Sequence, residues 1–268
     1  VYAIEKRESD GSRPTTALRS TPIDQRSTVT LTPPFVEKGG ISYYKISPDS
    51  KHVFYVADQE TDELPELYSV PVTGGAVTKL SIPLQNGDSA GEFYLSPDGT
   101  QVVYKATVGG KQKLFRVPST GGPSVLLNES SSSTNFLVNF SPNGHQLLFA
   151  THERNEVLME HTYKLYIVSL NGGEPVLLSS TADTEGTNTS IEDFQLTPDG
   201  NTVFFSYSDN GNGSRYLYSV PSNGGAKTKI IDSTFGFPDN YYFRISQDGK
   251  YIVHSVFNYG SQSGDLYS

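Results

Sequence analysis

The chain has 268 residues, no cysteine, and 29 acidic against 20 basic side chains, for a net charge of −9. Disulfide scaffolding is excluded, and a nucleic-acid partner is argued against, because phosphate binding requires a basic stripe and none is present. No run approaches the roughly 18 consecutive apolar residues that a membrane helix needs, so no membrane insertion is expected.

In chain order, Val1-Tyr2-Ala3-Ile4, Leu18-Arg19-Ser20-Thr21-Pro22 and Val29-Thr30-Leu31 read as three successive strands. A longer unit then recurs: an apolar strand, a Ser-Pro-Asp-Gly turn, a second apolar strand, a variable loop, and a Leu-Tyr-Ser-Val-Pro strand ending in Gly-Gly. The turn copies are Ser47-Pro48-Asp49-Ser50, Ser96-Pro97-Asp98-Gly99, Ser141-Pro142-Asn143-Gly144, Thr197-Pro198-Asp199-Gly200 and Ser246-Gln247-Asp248-Gly249, roughly 45 to 56 residues apart. That spacing is the period of a propeller blade.

Before each turn, the last position is apolar (Ile46, Leu95, Phe140, Leu196, Ile245), as is the third back (Tyr44, Phe93, Val138, Phe194, Phe243). Lys45, Tyr94, Asn139, Gln195 and Arg244 lie between them, so the strand has one apolar face. The polar members, Lys45, Asn139, Gln195 and Arg244, are expected beside a wet central channel, since buried polar groups need partners or water. The strand after each turn is apolar on both faces, as in Val53-Phe54-Tyr55-Val56 and Leu147-Leu148-Phe149-Ala150, which suits a sheet sandwiched between two others. Gly74-Gly75, Gly121-Gly122, Gly172-Gly173 and Gly224-Gly225 supply the positive φ of a hairpin into a fourth strand.

The expectation is an all-β fold, a six-bladed β-propeller of four-stranded antiparallel blades, incomplete at both chain ends. One propeller domain spans 1–268, with a partial blade at 1–32, blades at about 41–80, 91–127, 135–178 and 191–231, and a partial blade at 241–268. Ser50 in place of Gly and Gln247 in place of Pro each cost their turns about 1 kcal/mol at most.

Ser-Pro-Asp-Gly, an apolar strand and then Leu-Tyr-Ser-Val-Pro-x-x-Gly-Gly resembles the TolB-like, WD-repeat-related propeller family. The segment Ile46-Ser47-Pro48-Asp49 through Asp58-Gln59-Glu60-Thr61-Asp62 to Glu66-Leu67-Tyr68-Ser69-Val70-Pro71 is similar to repeats of secreted bacterial proteins. The resemblance implies an extracellular or periplasmic location. It leaves function open, because such propellers serve as interaction platforms, as gating domains of prolyl-oligopeptidase-type hydrolases, and as lyase scaffolds. A start at Val1 without Met is read as a processed secreted protein or an excised fragment.

No catalytic residue is expected. There is no cysteine, and Gly260-Ser261-Gln262-Ser263-Gly264 does not have the spacing of a nucleophile elbow. His52, His145 and His254 read as strand residues. His152-Glu153-Arg154-Asn155-Glu156 with Glu160-His161 is read as the longest second-to-third-strand loop, and it lacks the His-Glu-x-x-His pattern of a zinc helix. No cofactor is expected, although the alternating carboxylates Asp58, Glu60 and Asp62 could ligate calcium. The EF-hand pattern fails there, with Glu63 where Gly must turn and Ser69 where the bidentate Glu belongs.

The first-to-second and third-to-fourth turns are uniform, whereas the second-to-third loops and the inter-blade connections are long, unequal and acidic. Variable loops on a rigid scaffold are where binding resides. The expected function is a non-catalytic binding module of a secreted or cell-surface protein, with a protein or glycan partner. Asp58, Glu60, Asp62, Phe235, Phe237 and Tyr241 are its candidate contacts. The alternatives are a gating or scaffold propeller of a larger hydrolase or lyase, and a structural subunit of a surface array or filament.

Overall fold

In the computed structural model, residues 2–6, 15–24, 27–129, 137–155, 160–183, 189–209, 214–233, 243–258 and 263–267 are described. Phe235, Phe237 and Tyr241 lie outside them. Among the described residues the fold is all-β apart from a single 3-10 turn at Thr181–Asp183, and no described helix is long and apolar enough to cross a membrane. The chain divides into two compact units, Val1–Ser131 and Ser132–Ser268.

The first unit holds three sheets. Sheet one is β1 (Tyr2–Lys6), β2 (Thr15–Ser20) and β3 (Val29–Thr30). Sheet two is β4 (Ile41–Ile46), β5 (His52–Ala57), β6 (Glu66–Pro71) and β7 (Thr78–Lys79), and sheet three is β8 (Ser89–Leu95), β9 (Gln101–Val108), β10 (Lys111–Pro118) and β11 (Val125–Glu129). The second unit holds three more. Sheet four is β12 (Leu137–Phe140), β13 (Gln146–Asn155), β14 (Glu160–Ser169) and β15 (Val176–Ser180). Sheet five is β16 (Thr189–Leu196), β17 (Thr202–Asp209), β18 (Ser214–Pro221) and β19 (Thr228–Ser233). Sheet six is β20 (Phe243–Ile245), β21 (Ile252–Asn258) and β22 (Ser263–Tyr267). Every sheet is an antiparallel meander of consecutive strands, the form of a propeller blade.

Side-chain direction in β5 shows why the second strand is apolar throughout. Val53, Tyr55 and Ala57 pack with Leu18 and Leu31 of the first sheet's side, while Phe54 and Val56 pack with Phe93, Val102 and Tyr104 of the third. Successive residues of a strand point to opposite faces, so a sheet covered on both sides needs both sets apolar. The second unit repeats the arrangement, with Leu148, Ala150 and Leu165 packed with Ile191, Phe194 and Phe205. Leu18, Leu67, Leu114, Leu165 and Leu217, the repeated third-strand leucines, are all fully buried.

Each four-stranded sheet also carries a stacked Phe or Tyr pair at the same repeat position of its second and third strands: Tyr55–Tyr68, Tyr104–Phe115, Phe149–Tyr166 and Phe205–Tyr218. The members are direct cross-strand partners, where such pairs contribute roughly 0.2–1 kcal/mol each.

The Ser-Pro-Asp-Gly turn closes through its first side chain. The Ser47 hydroxyl donates to Asp49 Oδ1 at 2.6 Å and accepts the His52 N–H at 2.9 Å, while the Lys51 N–H donates to Asp49 Oδ1 at 3.0 Å. Ser96, Ser141, Thr197 and Ser246 repeat this bonding, and Gln247 leaves it intact. At the other hairpin, Gly121 has a φ of 91°, and an added Cβ would lie 2.9 Å from Thr78 Cγ2 of the preceding sheet. Glycine is required there by both conformation and space.

The structure differs from two expectations. In the segment expected to be a loop, residues 151–155 and 160–161 are strand: β13 runs on to Asn155 and β14 begins at Glu160, with Arg154 paired with His161. Ile46, expected on an apolar face, is 43% exposed, whereas the third-back position is buried in Phe93, Phe194 and Phe243 and half-buried in Tyr44 and Val138.

Candidate functional site

The acidic loop at residues 58–65 joins β5 to β6 and is held from below. Gln59 is buried, and its Oε1 accepts the Tyr55 hydroxyl at 2.7 Å; Leu64, at the far end of the loop, is also buried. Asp58 Oδ1 accepts the Gly40 N–H at 2.5 Å, and Glu63 takes a φ of 60°, the left-handed conformation that turns the chain. At the base, the buried Glu66 accepts the Tyr68 hydroxyl at 2.7 Å and pairs with Lys79 Nζ at 2.8 Å. The same ammonium reaches Glu60 at 2.7 Å. Burial works against the charge on Lys79, but the two carboxylates outweigh it and raise its pKa. Burial, reinforced by the Glu66 hydrogen bond, also pushes up the Tyr68 phenol.

The three carboxylates singled out from sequence therefore have different surroundings. Asp58 is tied to backbone, Glu60 is paired with a lysine, and Asp62 is exposed. No three or more His, Cys, Asp or Glu among the described residues are gathered as a metal ion would require. Glu66, Lys79 and Gln59 escaped the sequence reading. The available signal was the cross-strand register, which sets Lys79 opposite Tyr68.

The polar positions before the turns show a second pattern. Lys45 Nζ donates to the Phe93 carbonyl at 3.0 Å, Asn139 Nδ2 to the Phe194 carbonyl at 3.0 Å, and Gln195 Nε2 to the Phe243 carbonyl at 2.7 Å. Each bond runs from the first strand of one sheet to the first strand of the next, at the same repeat position. These side chains stitch neighbouring sheets together. Lys45 Nζ also lies 5.1 to 5.6 Å from the ring centroids of Tyr43, Phe93 and Tyr94, within cation–π range.

In the second unit these positions also line an open pocket of about 370 Å³, formed by Asn139, Phe140, Pro142, Asp193, Gln195, Leu196 and Arg244. A register shift in β16 between Ile191 and Asp193 re-aims the strand here, and the Asp193 N–H bonds to Ser206 Oγ at 3.1 Å. Asp193 Oδ2 meets Arg244 NH1 at 3.2 Å, and Oδ1 accepts the Phe194 N–H at 2.9 Å. Burial pushes the Asp193 carboxyl above the usual aspartate range, with Arg244 opposing the rise. Asp193 was legible in principle, being two residues before Gln195 and so on the same strand face.

Of the histidines, His152 stacks on Tyr163 at 4.4 Å, and its Nε2 lies 2.7 Å from His161 Nδ1 across the hairpin. His254 is half-buried, and burial lowers its pKa.

No protein-family model matches the chain, and no curated protein matches it. Solved structures do. Dipeptidyl peptidase 4 of Porphyromonas gingivalis is similar over 99% of this chain and 43% of its own, with 13% identity and a TM-score of 0.63. An oligogalacturonate lyase in complex with manganese is similar over 99% of this chain and 71% of its own, with 16% identity and a TM-score of 0.55. A protein assigned as TolB from Agrobacterium tumefaciens aligns more loosely, over 94% of this chain and 83% of its own, with 18% identity and a TM-score of 0.44. The first two likenesses, with the meander sheets, support a β-propeller fold.

Proposed function

We propose that this chain is a non-catalytic binding module of a secreted or cell-surface protein, which recognises a protein or glycan partner with its variable connections. In this reading the six sheets are the blades of one six-bladed, TolB-like propeller. The observation that carries the binding role is the preorganisation of the 58–65 loop. Gln59 and Leu64 are buried beneath it and Asp58 is bonded to Gly40, while Glu60 and Asp62 stay on the exposed side. A connection held this rigidly loses little conformational freedom on binding, which favours affinity. Its acidic rim suits a basic partner.

The test is a screen of basic peptides and neutral glycans against the wild-type chain and a Glu60→Gln, Asp62→Asn double variant. A ligand that binds the wild type and is lost from the folded double variant supports the reading. If no ligand in the screen responds to these two changes, the loop has no recognition role.

A second reading is favoured by one observation: the chain matches nearly all of itself to 43% of a peptidase. It would then be the gating propeller of a larger enzyme. An open reading frame that continues into a region with a Gly-x-Ser-x-Gly nucleophile motif would support this reading.

A further inference from the structure

We propose that His152 and His161 together chelate an exchangeable Cu2+ ion on the β13–β14 hairpin. This goes beyond the loop reading above and rests on different residues.

The strand register brings the two rings together. His152 is opposite Tyr163 and His161 is opposite Arg154, so the histidines are diagonal neighbours across the hairpin. They share one face, because side chains two apart along a strand point the same way. His152 Nε2 lies 2.7 Å from His161 Nδ1, and the ring planes are within 12° of each other with centroids 5.0 Å apart. The two nitrogens therefore face each other, with one N–H between them when both rings are neutral. The His152 ring is also stacked on Tyr163, 4.4 Å between centroids and 14° between planes, which fixes the first ligand. His161 is exposed and turns about a broad χ2 torsion, so the second ligand is adjustable.

The ligand type and its spacing select the ion. Imidazole nitrogen suits Cu2+, Ni2+ and Zn2+. With metal–nitrogen bonds of about 2.0–2.1 Å, two adjacent ligand nitrogens are about 2.9 Å apart on a square-planar ion and about 3.3 Å apart on a tetrahedral one. The observed 2.7 Å is nearer the first, which favours Cu2+ or Ni2+ over Zn2+. Of these ions Cu2+ binds most tightly to a given nitrogen site. Chelation needs both facing lone pairs, so the ring that donates the shared hydrogen bond carries its proton on its other nitrogen instead, and His161 tilts until the two lone pairs converge. Water fills the remaining positions. Among the described residues no group of three or more His, Cys, Asp or Glu forms a closed cage, so the pair makes a site for an exchangeable ion and not a resident one.

The experiment is isothermal titration of the untagged 268-residue chain with Cu2+, Ni2+ and Zn2+ at neutral pH, in glycine buffer that competes for ions held weakly elsewhere on the surface. One Cu2+ site per chain is expected, with Ni2+ and Zn2+ weaker. The second imidazole binds intramolecularly, so His152→Gln and His161→Gln should each weaken Cu2+ by about tenfold or more. His145→Gln, at an exposed turn position, should leave it unchanged. Melting temperatures without metal check that the variants fold, and His161→Gln, at an exposed position, keeps the test decisive if His152→Gln does not. Failure to bind one Cu2+ per chain, Cu2+ binding indifferent to His161→Gln, or Zn2+ binding tighter than Cu2+ overturns the proposal. None of these outcomes bears on Glu60 and Asp62, so the loop reading stands or falls separately.

Discussion

Ser50 occupies a turn position where the other copies have glycine, and it takes the same left-handed φ, 60° against 71° for Gly99. A non-glycine residue there costs roughly 1–2 kcal/mol, while glycine costs the unfolded chain about 0.5–1 kcal/mol of entropy. The first effect is larger, so Ser50→Gly is expected to stabilise the protein by about 0.5–1 kcal/mol in urea denaturation; a loss of stability would contradict the strain. The neighbouring carboxylates add a pH dependence. Hydrogen bonds from Ser47, Thr197 and Ser246, helped by backbone N–H groups, hold Asp49, Asp199 and Asp248 below the ordinary aspartate value of 3.8. Their folded pKa values are lowered, so the stabilisation is complete above the unfolded value and is lost as pH falls through the folded ones. Urea midpoints should therefore drop as pH falls below the ordinary aspartate value of 3.8, and Asp49→Asn should flatten part of that drop. A curve unchanged by the substitution would remove Asp49 from the account.

At the scale of the element, the same meander is built six times, but each connection has its own interior chemistry. β9 and β10 are joined by Gly109 and Gly110 alone, with φ of 59° and 76°, the two positive values of a tight hairpin. β5 and β6 are joined by a loop with a buried glutamate at its base. Glu66 and Glu60 share one lysine but differ in burial, with side chains 4% and 54% exposed. Replacing an exposed ion-pair member costs about 0–1 kcal/mol. Neutralising a buried, hydrogen-bonded one costs more, although the partial exposure of Lys79 tempers the loss. Glu60→Gln is expected to leave the melting temperature nearly unchanged, and Glu66→Gln to cost about 1–3 kcal/mol by thermal denaturation. Equal effects would mean that burial does not distinguish the two.

At the scale of the whole molecule, the excess of acidic over basic residues governs association more than folding. With a net charge of −9 and ion pairing that consumes several of its lysines locally, the chain should repel polyanions. It is expected to pass through a heparin column unretained at low salt, where electrostatic retention is strongest. Retention there would reveal a basic patch and reopen the nucleic-acid class.

The sequence by itself determined the local chemistry and the order of the strands. Alternating apolar positions before each turn, apolar runs after it and the Gly-Gly pairs are short-range signals set by side-chain period and backbone sterics, and the observed strands follow them. Local patterns also showed that Lys45, Asn139, Gln195 and Arg244 are polar where their strand neighbours are apolar. Only the tertiary structure decided what Lys45, Asn139 and Gln195 do, because their partners lie 48 to 55 residues away, in carbonyls of the next sheet. The register shift in β16 beside Asp193 and the continuation of β13 to Asn155 are likewise set by pairing with a neighbouring strand. Periodicity records which face of a strand is apolar; it carries no information on which distant polar group a side chain will meet once that face is buried.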